Sequence, residues 1–249
     1  MSMTEQYVSN NGDIVSSDQY SIKVGNRGHL YGDGVFESIR VINGRAINLE
    51  NHLNRMTEGM KTLHMEIPEE YLKTECFEKE INDLLKQNHI TEGGKVRISI
   101  DRVIGGTFLP TSNKTSFIIE AYPMTYNEFT LNEIGLTVEI YKDLKKEKNK
   151  LAPYKTKNAL IYIMASIEGK ENGHDEMLIT NFQDAILESS SSNLFIVSNG
   201  VLYTSGLEDG CIGGTMRMQI INLAIQNGIK VYECPIMPQN LLVADEIFL

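Results

Sequence analysis

Glu188 has unusual sequence neighbours for a carboxylate. It follows the apolar pair Ile186–Leu187 and precedes the polar run 189–193, after which the chain is apolar again in "LFIV" (194–197). A buried carboxylate is unfavourable unless a cation or hydrogen-bond donors compensate it. Two interpretations follow: Glu188 lies at the solvated end of a turn between two strands, or a cationic group binds it.

Two further features could bind an anion such as a phosphate. The segment "CIGGTMR" (211–217) places two glycines before a predicted helix, whose first-turn N–H groups and dipole attract negative charge. Arg55, in "HLNRM", lies early on another predicted helix, and a guanidinium can bind phosphate or carboxylate with two hydrogen bonds. Taken alone, the glycines are more typical of a tight turn and the arginine of a helix surface.

Lys155 is the candidate nucleophile. It precedes an apolar helix in "LAPYKTKNALIYIMASIEG" (151–169), a segment with few charges. A lysine that forms a Schiff base needs partial burial, which lowers its pKa. Lys157, two residues on, is the local competitor, and for either residue the alternative is an ordinary lysine near a helix start.

Together these groups match the requirements of pyridoxal phosphate. The helix N-terminus and Arg55 would bind its phosphate, Lys155 its aldehyde and Glu188 its pyridine nitrogen. A protonated pyridine ring is the electron sink of this cofactor. Under this hypothesis Glu188 is buried because the pyridinium pairs with it, and the neighbouring serines and Asn193 satisfy nearby donors.

The predicted elements that position these groups are a mixture of strands and helices. In "GVFESIRVI" (34–42), alternation puts Phe36, Ser38 and Arg40 on one face of a strand. Asn43–Gly44 predicts a hairpin turn with a return strand over 45–50, and Asn51 is expected to cap the next helix. Composition shifts after residue 122, so we expect an α/β (α+β) protein of two domains. Their predicted bounds are 1–122 and 131–249, with a linker at 123–130.

Composition indicates a globular protein and excludes several classes. Of 249 residues, 41% are hydrophobic and 22% charged. A net charge of -10 argues against nucleic acid as a partner, and the run 142–150 mixes bases with acids and is interpreted as a solvated loop. No apolar stretch is long enough for a membrane span. Three widely spaced cysteines, five scattered histidines and the lack of a signal peptide predict a cytoplasmic protein without disulfides or metal.

Six motifs in the same order resemble the fold-type IV (class IV) pyridoxal-phosphate enzymes. This family contains branched-chain aminotransferases, D-amino acid aminotransferases and aminodeoxychorismate lyases. The resemblance covers nearly the whole chain and implies a two-domain, D-amino acid aminotransferase-like fold, pyridoxal 5′-phosphate as cofactor and a homodimer. The motifs are "RGHLYGDGVFESIRV" (27–41), "HLNRM" (52–56), "YKTKN" (154–158), "LESSSSNLFIV" (187–197), "IGGTMR" (212–217) and "ADEIFL" (244–249).

The resemblance also implies a role for individual residues. Lys155 would be catalytic, forming the Schiff base and moving a proton between substrate and cofactor. The implied cofactor-binding residues are Arg55, Lys155, Glu188, Ser191, Ser192, Asn193, Ile212, Gly214, Thr215 and Met216. The implied substrate-binding residues are Tyr31, Phe36, Ser38, Arg40 and Arg97.

Three departures from the family pattern bear on activity. The sequence ends at Leu249, inside the strand after which family members supply a hydroxyl to the phosphate. The last strands of the second domain are therefore expected to be missing, which would affect cofactor affinity. The loop 102–113 lacks the R-x-H of D-amino acid aminotransferases and the arginine and tyrosine of the lyases, so it indicates no substrate. Ser189 replaces the usual glycine.

An aminotransferase acting on a small, branched-chain amino acid and a 2-oxo acid is the first interpretation. Arg97 and "YGDGVFESIR" (31–40) are similar to the branched-chain enzymes. The alternative is 4-amino-4-deoxychorismate lyase, which eliminates pyruvate to give 4-aminobenzoate, and Ser38 and Met216 favour it. A non-catalytic member is the third interpretation, supported only by the missing C-terminal segment.

Overall fold

The hairpin predicted at Asn43–Gly44 lies at one edge of a six-stranded antiparallel sheet, in a computed structural model that describes residues 6–249. Both turn residues have positive φ, 49° and 67°, as a type I′ turn requires. The strands are β1 (Tyr7–Asn10), β2 (Asp13–Ser16), β3 (Gly34–Ile42), β4 (Arg45–Ala46), β5 (Gly94–Arg102) and β6 (Thr115–Pro123). Their spatial order is β2-β1-β6-β5-β3-β4. The return strand β4 is shorter than predicted because the chain turns at Asn48, whose φ is 57°.

Two helices cover the apolar face of this sheet, α2 (Leu49–Thr62) and α3 (Thr74–Gln87), with a 3₁₀ turn at Glu69–Leu72. The short helix α1 (Arg27–Tyr31) lies against Asp101, on the opposite face. The prediction that Asn51 caps α2 is wrong: the helix begins at Leu49, after Asn48, and has no side-chain cap. Leu49 is buried in the core, and this burial draws the first turn of α2 towards the sheet. The fully buried residues of this core include Ile39, Met60, Ile81 and Ile98.

The second part of the chain forms two smaller sheets with three helices. The elements are β7 (Val138–Ile140), α4 (Leu160–Asn172), β8 (Glu176–Thr180), β9 (Ile186–Ser189), β10 (Phe195–Ser198), β11 (Val201–Thr204), α5 (Thr215–Gln226), β12 (Val231–Glu233), α6 (Pro238–Leu242) and β13 (Glu246–Phe248). The four-stranded sheet has the order β12-β11-β10-β13 and the three-stranded sheet the order β7-β8-β9. Helix α4 ends at Gly173, as predicted, and the φ of 76° at this position is one that glycine adopts readily.

The chain divides into two compact units, and the mixed α/β class agrees with the prediction. The first unit comprises the residues up to Thr130 together with Tyr154–Asn158, and the second comprises Leu131–Pro153 and Ala159–Leu249. The predicted bounds place residues 154–158 in the second domain, so their position in the first unit was not predicted. Two backbone hydrogen bonds attach this segment to β3: Phe36 N–H donates to Lys155 O at 2.8 Å, and Lys157 N–H donates to Gly34 O at 3.0 Å.

Residues 6–249 contain neither a candidate membrane span nor a candidate metal cluster. No helix in this range is both long and apolar enough to cross a membrane. The same range contains no cluster of three histidine, cysteine, aspartate or glutamate side chains that could hold a metal ion.

Candidate active site

Lys155, Phe36 and Arg97 come together in the first unit. The Lys155 Nζ lies 5.3 Å from the centroid of the Phe36 ring, and the Arg97 Cζ lies 3.9 Å from the same centroid. A cation over an aromatic face is a favourable electrostatic arrangement. An isolated bridge between Val35 and Thr156 supports the lysine segment from the backbone. The structure therefore joins the candidate nucleophile to two residues predicted on the substrate side.

Lys157, the competitor of Lys155, has a structural partner. Its Nζ lies 2.5 Å from the Oδ1 of Asp101, whose side chain is buried. Breaking such a pair would leave an uncompensated buried charge, which is strongly destabilising. This arrangement favours Lys155 as the reactive amine.

Two other residues predicted to bind substrate make contacts elsewhere in the first unit. Arg40 binds the Met124 sulfur and the Tyr126 carbonyl and so holds the chain after β6. The Tyr31 ring lies 5.7 Å from the Phe108 ring, in the loop after β5. Ser38 pairs with Arg97 across β3 and β5, so it shares the face of Phe36.

Arg55 is held by a buried glutamate on the opposite face of β3. Its Nε donates to Glu37 Oε1 at 2.8 Å and its Nη2 to Oε2 at 2.5 Å, while His52 Nδ1 lies 2.7 Å from Oε2. His52 and Arg55 are three residues apart on α2 and therefore lie on the same helix face. Burial alone would raise the pKa of Glu37, but the hydrogen bonds from His52 and Arg55 hold it below its usual value. Glu37 thus orients the Arg55 guanidinium.

Glu188 is buried in the second unit, and three donors compensate it. Lys146 Nζ and the Tyr162 hydroxyl each lie 2.7 Å from Oε1, and the Ile212 N–H donates to Oε2 at 2.8 Å. Burial and the nearby Glu188 charge raise the pKa of Tyr162, so its hydroxyl stays protonated and donates. Of the two interpretations from sequence, the structure supports the buried, cation-bound one.

Lys146 and Tyr162 were not identified from the sequence. The interpretation of 142–150 as a solvated loop is wrong for Lys146, whose side chain is 12% exposed. Its N–H donates to Thr180 O and its Nζ to Ala152 O, so the loop packs inward there. A loop sequence of mixed charge does not indicate which of its lysines points into the protein. The tyrosine was a possible signal, because it is a phenol in an otherwise apolar helix segment.

Gly213 and Gly214, which precede α5 and are called its glycine entry below, lie beside Glu188. Asn193 Nδ2 donates to Ile212 O at 2.9 Å, and Asn193 also forms a β-bridge with Glu188. A Cβ on Gly214 would collide with Asn193 Oδ1, so a larger residue here would displace the Asn193 side chain. Gly214 is the N-cap of α5 and provides no side-chain cap, and Thr215 in the first turn is buried. Met216 follows at the second helical position and is about half exposed.

The serines at 189–192 mainly form hydrogen bonds within their own turn and with the neighbouring Glu176. The Ser191 hydroxyl donates to Glu176 Oε1 at 2.5 Å, and the Ser192 N–H donates to the Ser189 hydroxyl at 3.0 Å. Ser189 is buried, and its hydroxyl also accepts from Ser191 N–H at 3.3 Å. A glycine at 189 could not accept these bonds, which gives the departure from the family pattern a physical reason.

Comparisons with known proteins agree on one family. A family profile described as "Amino-transferase class IV" matches residues 34–249. A Methanocaldococcus jannaschii protein, provisionally named a branched-chain-amino-acid aminotransferase, is 30% identical over 242 residues, covering 96% of this chain and 82% of that protein. The D-alanine aminotransferase of a Listeria monocytogenes strain is 26% identical over 247 residues, covering 96% and 81%.

Solved structures share the fold. The crystal structure of a branched-chain aminotransferase from Thermoproteus uzoniensis, determined with norvaline, superposes with a TM-score of 0.88 at 25% identity. The superposition covers 98% of this chain and 83% of that one.

Proposed function

The chain belongs to the class IV aminotransferase family, and we propose that it transfers the amino group of a branched-chain amino acid to a 2-oxo acid with pyridoxal 5′-phosphate as cofactor. The observation that carries the proposal is the Glu188 carboxylate, buried at the glycine entry of α5 with Lys146, Tyr162 and a backbone N–H as donors. These donors make three hydrogen bonds to the carboxylate, which accepts about four, so one position is left for a ring N–H⁺.

The donor set fits this cofactor. Glu188 suits the pyridine nitrogen, and the first turn of α5 after Gly214 suits the phosphate, because the N-terminal end of a helix dipole attracts an anion. In the first unit, the motif "HLNRM" (52–56) makes Arg55 a proposed phosphate-binding residue, and Glu37 orients its guanidinium. When bound, pyridoxal phosphate supplies an electron sink for a carbanion at the substrate Cα.

Lys155 has the active chemical role among the residues of this chain. Its Nζ would hold the cofactor through the carbonyl group, and as a base it would remove the proton from the substrate Cα and deliver it to the cofactor carbon bonded to the substrate nitrogen. The Phe36 ring offers an apolar surface next to this amine, and Arg97 offers a cation for a carboxylate. An apolar surface beside one fixed cation suits an amino acid with a hydrocarbon side chain.

The proposal extends to a cytoplasmic homodimer. Cys76, Cys211 and Cys234 are free thiols, in keeping with a reducing compartment. Helix α4 exposes Leu160 and Ile163 by 73% and 50%, and exposed apolar side chains on one helix are typical of an interface.

A spectroscopic titration tests the proposed function. The purified chain is mixed with pyridoxal phosphate, the visible absorbance of the lysine-bound cofactor is recorded, and borohydride reduction followed by peptide mapping identifies the modified lysine. We expect the label on Lys155 and none on Lys157. A label on another lysine, or none, would overturn the assignment.

Amino donors then separate the candidate reactions. L-Leucine or L-glutamate should aminate the cofactor and abolish the visible band. The same change with D-alanine alone would retain transamination but assign a different substrate class. Pyruvate release from aminodeoxychorismate, without amination of the cofactor, would replace the proposal by the lyase.

A further inference from the structure

Lys155 and Lys157 project from the same side of their segment. The segment is bound to β3, with Phe36 N–H donating to Lys155 O and Lys157 N–H donating to Gly34 O. Because side chains alternate along extended backbone, both lysines lie on the face of β3 that carries Phe36 and Gly34. The two amines therefore start from neighbouring positions on one surface, and local sequence does not decide which of them reacts.

Glycine at position 34 leaves room for the Lys157 side chain. A Cβ at Gly34 would lie 3.1 Å from Lys157 Cδ, so the lysine side chain passes directly over this residue. Gly34 is opposite Asp101 in the register of β3 and β5, and Lys157 Nζ lies 2.5 Å from Asp101 Oδ1. The Lys155 Nζ lies instead 5.3 Å from the centroid of the Phe36 ring. The two amines thus occupy different places on the sheet face.

Two glycines and an asparagine fix the Asp101 carboxylate. A Cβ on Gly28 or on Gly34 would collide with this carboxylate, which fills the space that side chains at both positions would take. Asn26 Nδ2 donates to Asp101 Oδ2 at 3.0 Å, and Asn26 Oδ1 accepts from the His29 N–H of α1. The carboxylate therefore has one defined position, joined to α1 on one side and to the lysine segment on the other.

Pairing with Asp101 removes Lys157 from competition with Lys155. The Asp101 side chain is 5% exposed, so its charge requires a cation, and Lys157 supplies it. A lysine binds a carbonyl carbon by forming a C=N bond, while the carbonyl oxygen leaves with the two amine hydrogens as water. Only the unprotonated amine attacks, whereas the partner of a carboxylate is the ammonium ion.

We propose that Asp101 is a positioning residue that selects Lys155, and not Lys157, as the amine that binds the cofactor carbonyl. It acts by holding Lys157 Nζ across Gly34, which leaves the amine over the Phe36 ring as the one that reacts. The inference rests on the proposed function, because it assigns a carbonyl cofactor to this segment.

The test measures which lysine carries the cofactor. The full chain is mixed with one equivalent of pyridoxal phosphate, reduced with borohydride and digested, and tandem mass spectrometry gives the ratio of label on Lys157 to label on Lys155. Asp101→Asn keeps the shape of the side chain but removes its charge. We expect this variant to change the ratio from below about 1:20 to above about 1:2, a shift of at least about 10-fold, or about 1.4 kcal/mol.

A second variant displaces the carboxylate and keeps its charge. The three atoms nearest to a Cβ at Gly28 all belong to the Asp101 side chain, and alanine is otherwise favoured over glycine within a helix. We expect Gly28→Ala to raise the ratio as well. Asp83→Asn is the matched control: Asp83 forms an exposed pair with Lys79 on α3, and its loss should leave the ratio unchanged.

Two controls distinguish competition from loss of the fold. Unfolding would expose every lysine, so label on Lys150 should stay unchanged if the effect is local. In Asp101→Asn the fraction of chains labelled on Lys155 should fall, and it should return when Lys157→Arg is added. Arginine keeps the positive charge but cannot replace lysine in forming the C=N bond, so the competing amine is gone.

The outcomes separate the two proposals. If wild type carries its label on Lys155 and Asp101→Asn leaves the ratio unchanged, the inference fails and the proposed function stands. A label that spreads to Lys150, or a Lys155 fraction that Lys157→Arg does not restore, would also overturn the inference. If wild type carries no label on Lys155, the proposed function fails and the inference with it.

Discussion

Glu37 and Glu188 are both buried carboxylates, one in each unit, but different kinds of donor compensate them. Glu37 has a two-point bond from Arg55 and a contact from His52, all from side chains on one face of α2. Glu188 has single bonds from a loop lysine, a helix tyrosine and a backbone N–H.

The difference separates a positioning role from a binding role. Both carboxylates have three donors, but two of those of Glu37 belong to one guanidinium, so Glu37 orients Arg55. Glu188 instead lies beside the glycines that precede α5, the segment proposed to bind the cofactor phosphate. The carboxylate that binds a cofactor nitrogen is therefore expected to be Glu188 and not Glu37.

Removing Lys146 should have the largest effect on stability. Lys146→Met leaves the Glu188 charge without its cation, and we expect a loss of about 3–5 kcal/mol in the free energy of unfolding, measured with urea. The neighbouring Lys145→Met is the matched control. Lys145 pairs with Asp184, which is largely exposed, so its loss should change stability by less than about 1 kcal/mol. Similar losses for both variants would contradict the buried-pair description.

Neutralising the two carboxylates should divide their roles. Glu188→Gln keeps the shape but removes the charge, and we expect kcat to fall about 10²- to 10³-fold, as for loss of one electrostatic stabiliser. Glu37→Gln should act through Arg55 and weaken pyridoxal phosphate binding with a smaller change in kcat at saturating cofactor. Steady-state kinetics over a range of cofactor concentrations measures both. If Glu37→Gln lowered kcat and Glu188→Gln mainly weakened cofactor binding, the roles assigned to the two carboxylates would be reversed.

The glycine entry of α5 offers a sharper, local test. Gly214→Ala places a Cβ against the Asn193 side chain, and we expect a loss of about 1–3 kcal/mol in stability together with weaker cofactor binding. Gly213→Ala is the control, since a Cβ there would make only ordinary contacts at 3.5 Å or more. Thermal unfolding with and without pyridoxal phosphate provides the readout. Equal behaviour of the two alanine variants would remove Gly214 from the site.

The smallest effect is the pH dependence of the Glu37 cluster. The pKa of the Glu37 carboxyl in the folded protein is below the unfolded value of about 4.3. The contribution of Glu37 to stability is therefore complete above that value and is lost as the pH falls through the folded pKa. The difference in unfolding free energy between wild type and Glu37→Gln should therefore be constant near neutral pH and shrink below about pH 4. A difference that grows on acidification would contradict this arrangement.

Local pattern was sufficient for several elements. Alternation in β3 predicted the shared face of Phe36 and Ser38, Asn43–Gly44 predicted the hairpin, and Gly173 predicted the end of α4. Each of these depends on residues close in sequence. The prediction that Asn51 caps α2 is wrong because burial of Leu49 in the core, a tertiary effect, moved the start of the helix.

The sequence by itself determined the chemistry that is available: one lysine in an apolar segment, a carboxylate between apolar runs, an arginine on a helix and a glycine entry to another. Only the tertiary structure decided how these groups are compensated. Lys146 is 42 residues from Glu188 and Glu37 is 18 residues from Arg55, so no local period connects either pair. The energy of a buried or paired charge depends on distances between side chains, and folding sets those distances.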